Sequence, residues 1–160
     1  TVIKDFVKYQ EWVLRDINVR RNGQKGKYFI DINSMRFVQP IKKGPYFRTN
    51  VSMNNILKGS YWLNLMIEDK SDNEKDPTLT LRMDKPSKLA KEVVGTFYFI
   101  VLPNETNFII YFSGRTQVNW TIYNFLPLML VKSEVLERIY TLLENIEYRT
   151  SSLTKSHSSR

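Results

Sequence analysis

The chain has 160 residues, of which 42% are hydrophobic, 25% charged and 13% aromatic, a composition that suits one globular domain and, through its aromatics, a β-rich one. Cysteine is absent, which excludes a disulfide framework, a thiolate metal site and a cysteine nucleophile, and the only histidine, His157, lies at the very end of the chain, away from any Ser-His-Asp arrangement. The net charge of +8 resides entirely in residues 1–60, where 12 Lys/Arg stand against 4 Asp/Glu, while the remaining residues balance at 12 against 12.

In chain order, Ile3, Phe6, Val7, Val13 and Leu14 share one face of a short N-terminal helix. The period then falls to two. Tyr28, Ile30 and Ile32 alternate, and Met35 and Phe37 resume after a one-residue slip that predicts a bulge at Asn33–Ser34. Phe47, Thr49, Val51 and Met53 alternate with polar residues, the pattern of a strand with one wet face. Tyr61, Leu63, Leu65 and Ile67 predict the next strand, followed by an acidic loop from Glu68 to Pro77 and a strand through Leu79, Leu81 and Met83. Asp84 to Glu92 is polar and reads as a loop with one helical turn. Thr96 to Leu102 is almost continuously apolar and predicts a strand buried on both faces. Pro103-Asn104-Glu105-Thr106 forms a hairpin turn into Asn107–Ser113, and Val118, Trp120 and Ile122 make a last strand after a turn at Gly114.

Beyond this point the period is helical. Val135, Leu136, Ile139, Leu142, Leu143 and Ile146 form an apolar stripe, Glu134, Glu137, Arg138, Thr141, Glu144 and Glu147 take the other face, and Ser133 stands as N-cap. Residues 1–149 therefore read as one domain and residues 150–160 as a disordered, basic, Ser/Thr-rich tail. The fold class is mostly β: seven or eight antiparallel strands in a β-barrel or sandwich, with a C-terminal amphipathic α-helix.

Catalytic motifs are missing. No phosphate-cradling G-x-x-x-x-G-K-[ST] or G-x-G-x-x-G occurs, and the acidic loop of Glu68, Asp69, Asp72, Glu74 and Asp76 lacks the spacing and the glycine of a calcium loop. Asp31 and Asp84 read as surface charges. The expectation is a non-enzymatic binding module with no metal and no cofactor.

The basic half carries the candidate site: Arg15, Arg20, Arg21, Lys25, Lys27, Arg36, Lys42, Lys43 and Arg48, with Tyr28 and Tyr46 interleaved. Cations for phosphates beside aromatic faces for bases are what single-stranded nucleic acid requires. The segment Tyr61 to Asp72, followed by a strand at Thr78 to Met83, resembles the second and third strands of OB domains in single-strand-binding and telomere end-binding proteins, and such domains frequently close with a helix. That resemblance implies an OB barrel with nucleic acid or a telomere-type protein as partner. The strand count with one terminal helix is also similar to pleckstrin-homology-like domains, which implies headgroup binding by Lys25-Gly26-Lys27 and Lys42-Lys43-Gly44. A β-cup holding an apolar ligand, and a protein–protein adaptor acting through the terminal helix, complete the alternatives. No stretch is apolar enough for a transmembrane helix. A nuclear or cytoplasmic location goes with nucleic acid; secretion is the alternative, from the missing initiator Met and the sequons at Asn50, Asn104 and Asn119.

Overall fold

The alternating segments become six strands in the computed structural model, which describes residues 6–21, 28–54, 58–73, 75, 77–101, 108–124 and 128–157. These are β1 (Ile30–Val38), β2 (Tyr46–Met53), β3 (Gly59–Lys70), β4 (Thr78–Met83), β5 (Ala90–Val101) and β6 (Phe108–Val118). Each pairs antiparallel with its neighbour in sequence, in the order β1-β2-β3-β4-β5-β6. The expected barrel is therefore, among the described residues, an open six-stranded meander. A physical reason lies at the N-terminal end of β1, whose free edge is occupied there by side chains. Asn18 accepts from the Ile32 N–H at 2.9 Å and donates to the Ile32 carbonyl at 2.8 Å, Glu134 accepts from the Phe29 N–H, and Arg138 donates to the Ile30 carbonyl. An edge satisfied in this way has little left to offer β6.

The expected bulge is present as a register shift between Ile32 and Ser34. Alternation then assigns the faces. Met35, Phe47, Ile67, Leu79 and Phe97 point to the inner side, where they meet Tyr9 and Trp12 of α1 (Tyr9–Trp12) and Ile146 of α3 (Leu128–His157). Phe47 is completely buried, and its ring stacks on Tyr9 with centroids 4.9 Å apart. Phe47→Ala is expected to cost about 3–5 kcal/mol in urea denaturation, the range for a truncated core aromatic.

Several local expectations change. In the N-terminal helix the buried residues are Tyr9, Trp12 and Val13, and Val7 is exposed. On β5 the outward Tyr98 and Ile100 are half exposed, so Thr96–Leu102 is not buried on both faces over its described part. Gly114 makes no turn. It sits within β6 directly opposite Gly95, and a Cβ on either glycine would meet the Phe112 ring at 3.0 Å, so the pair leaves room for that ring. The segment with Trp120 is the short helix α2 (Trp120–Tyr123), not a strand. Helix α3 starts at Leu128, so Ser133 lies inside it and caps nothing, and it continues through His157, past the start of the expected tail. The turn at Pro103–Thr106 lies outside the described residues.

Candidate functional site

The basic N-terminal half is divided between two places. One part clasps α3. Arg20 reaches Glu134 at 2.9 Å and Glu137 at 3.4 Å, and Arg21 reaches Glu144 at 2.8 Å and Thr141 at 3.4 Å. Tyr28, only 1% exposed, has two guanidinium groups over its ring, Arg20 at 4.5 Å and Arg138 at 4.1 Å from the centroid. Its hydroxyl donates to Glu137 Oε2 at 2.8 Å. Asn145 donates to the Arg15 carbonyl at 2.8 Å, while the Arg15 guanidinium lies 4.2 Å over Tyr148.

Helix α3 thus turns part of its polar stripe inward. Glu134, Thr141 and Asn145 are buried with Ile146, whereas Val135 and Leu136 of the supposed docking stripe stay 48% and 47% exposed. The expected division of faces is corrected here, because the segment from Val13 to Ile30 supplies carbonyls, N–H groups and arginines that a polar stripe can satisfy.

Burial and pairing shift these groups in opposite senses. Burial pushes the Glu134 carboxyl above its ordinary value, against the pull of the Phe29 N–H and Arg20. Burial also acts upward on Glu137, but the Tyr28 hydroxyl, the Arg21 N–H and Arg20 outweigh it and hold that carboxyl low. Tyr28 is pushed up to about 12, by burial first and then by Glu137. A lowered carboxyl contributes stability above its unfolded value that is lost as pH falls; a raised one does the reverse. Urea midpoints measured on the acid side of neutrality should therefore decline less steeply in Glu137→Gln and more steeply in Glu134→Gln than in the parent chain.

The other part of the basic half lies on the outward face of the sheet. Arg36 on β1 stands directly opposite Arg48 on β2, both exposed, and among the described residues neither has a carboxylate partner. The Arg48 guanidinium lies 4.7 Å from the ring centroid of Trp62, which is 52% exposed on β3. Tyr46 is half-buried on the same face and opposes Met66. Lys42 and Lys43 are exposed in the connection from β1 to β2.

Farther across this face, Arg82 on β4 opposes Met66 and Val94, and Arg115 on β6 opposes Val94 and pairs with Glu92 at 2.8 Å. Tyr98 and Tyr111 face each other with rings 5.6 Å apart. Of the sequence candidates, then, Arg36, Lys42, Lys43, Tyr46 and Arg48 lie on or beside one open face. Arg20, Arg21 and Tyr28 are engaged with α3, Arg15 lies against Tyr148, and Lys25 and Lys27 fall outside the described residues. Sequence reasoning missed Trp62, Arg82, Tyr98, Tyr111 and Arg115. Strand parity could have found them, since each is out of phase with the buried set of its own strand.

Two of the three sequons have engaged amides: Asn50 Nδ2 donates to Ser60 Oγ at 2.8 Å and Asn119 Nδ2 to the Ser87 carbonyl at 2.6 Å. Asn104 lies outside the described residues. No described helix is long and apolar enough to cross a membrane. No protein-family model, curated protein or solved structure matches the chain.

Proposed function

We propose that the protein is a non-enzymatic module that binds single-stranded nucleic acid on the outward face of its sheet. One observation carries this: Arg36 and Arg48 stand side by side without a carboxylate partner among the described residues, and Arg48 lies over a half-exposed tryptophan. Like charges directly opposite across two strands weaken a sheet by roughly 0.2–1 kcal/mol, and a bound phosphate turns that repulsion into attraction. Trp62, Tyr98 and Tyr111 offer ring faces to bases, and Arg82, Lys42 and Lys43 extend the cationic surface on either side. A partly open sheet face suits a single strand, whose bases are free to stack, better than a duplex, whose bases are not.

A carrier for apolar ligands has less support. On the inner side, the apolar gap between α1, α3 and the sheet, lined by residues such as Trp12, Leu79 and Ile146, holds about 80 Å³. Sites for drug-sized ligands run to about 300–1,000 Å³.

Fluorescence anisotropy of labelled single-stranded DNA and RNA, titrated across salt, tests the proposal. Binding should weaken with a log–log slope of about −0.7 for each phosphate contacted. No binding at low salt would overturn it.

A further inference from the structure

We propose that a cleft beside Trp62 holds one nucleotide, its base against the indole and its phosphate held by Lys85 and Lys88. The cleft opens between β3 and the connection from β4 to β5 and has a volume of about 370 Å³, at the lower end of small-ligand sites. Its β3 wall presents Ser60, Trp62 and Asn64, and the opposite wall is residues 84–88.

That opposite wall is built rather than loose. The Asp84 N–H donates to the Asn64 carbonyl at 2.9 Å, tying it to β3. Ser87 Oγ accepts from the N–H groups of Leu89 and Ala90 at 3.1 Å, and Asn119 donates to the Ser87 carbonyl. Leu89 and Ala90 are buried and anchor the end of the connection in the core. Lys85 and Lys88 are exposed on this fixed wall with no carboxylate partner among the described residues.

The lining supplies the parts that a nucleotide needs in one place. An aromatic face takes the base, hydroxyl and amide groups take sugar or base edges, and two ammonium groups take the phosphate. Asp84, the one carboxylate of the lining, accepts from base N–H groups and leaves the cleft with a net charge of +1 (two lysines against one aspartate). Because Trp62 also carries Arg48, a strand lying along Arg36 and Arg48 leads directly into the cleft.

This assignment rests on the outward face being a nucleic-acid surface, and the test separates the two. Adenosine 5′-monophosphate is titrated calorimetrically, and a labelled single-stranded oligoadenylate by anisotropy, into the parent chain, Lys85→Ala/Lys88→Ala and Arg36→Ala/Arg48→Ala. All three should share one thermal midpoint to within a few degrees, since the replaced side chains are exposed. The lysine pair should weaken both ligands by about tenfold or more, two charge-assisted contacts being lost. The arginine pair should weaken the oligonucleotide by about tenfold or more and the monophosphate by much less, since of the two only Arg48 reaches the cleft, through Trp62. Monophosphate binding that depends on the lysines, without oligonucleotide binding, would keep the cleft as a free-nucleotide site and overturn the strand surface. Absence of monophosphate binding, or affinities unchanged in the lysine variant, would overturn the cleft.

Discussion

Replacing Arg36 and Arg48 together by alanine is expected to weaken single-strand binding by tenfold or more while leaving the fold about equally stable. Two phosphate contacts disappear, so the salt dependence should also flatten by a slope of about 1.4. Stability should change by less than about 1 kcal/mol, because relief of the repulsion between the two directly opposed guanidinium groups offsets loss of the Arg48 contact with Trp62. Few structural residues behave this way, since truncating a packed side chain usually lowers stability. Trp62→Ala should reduce affinity by about 1–3 kcal/mol, or roughly 5- to 150-fold, without altering the salt slope, because a stacked base rather than an ion is lost. Arg20→Ala gives the contrast: its partners are Glu134 and Glu137, so it should lower stability and leave the salt slope unchanged.

An effect on stability as large as that of Phe47→Ala is expected at Glu134. Its side chain is almost wholly buried, accepts the Phe29 N–H and pairs with Arg20 at 2.9 Å. Glu134→Ala leaves a backbone donor and a buried guanidinium short of an acceptor, and removing one partner of a buried pair costs about 3–5 kcal/mol. That is a large share of the roughly 5–15 kcal/mol that holds a typical domain together. Glu134→Gln keeps an acceptor for Phe29 but loses the charge facing Arg20 and Arg138, and should fall between alanine and the parent. Urea denaturation at neutral pH measures all three. A shift below about 1 kcal/mol for the alanine variant would mean that α3 is held by Ile146 and its apolar neighbours rather than by the clasp.

These expectations show which parts of the molecule can be read from its residues. Parity is local, and it served well. The slip after Ile32 predicted the bulge, and the alternation of Phe47 to Met53 and of Leu79 to Met83 gave the right inner faces. Partners far along the chain were invisible. Arg20 and Arg21 looked like a free basic patch because the carboxylates that take them lie 114 and 123 residues away, on α3.

The same distance hid the orientation of α3. Its apolar stripe suggested ordinary docking, but the segment before β1 offers unpaired backbone groups that only a polar stripe can satisfy, so Glu134 and Asn145 turned inward. Gly114 misled for a different reason: its role depends on Gly95 and the Phe112 ring across a strand pair, which no local turn signal reports. The candidate surface was half legible. Arg36, Lys42, Lys43, Tyr46 and Arg48 were found as charge and aromatics in one stretch, whereas Trp62, Tyr98 and Tyr111 join them only once the meander places β2 beside β3 and β5 beside β6.

The most direct measurement is photocrosslinking of a 5-iodouridine-substituted single strand to the intact chain, with the adducts located by mass spectrometry. Adducts at Trp62, Tyr98 or Tyr111 are the expected result, because those rings stand on the outward face that also carries Arg36, Arg48 and Arg82. Adducts confined to residues 6–21 or to α3 would contradict the account and return the nucleic acid to the segment that the clasp occupies.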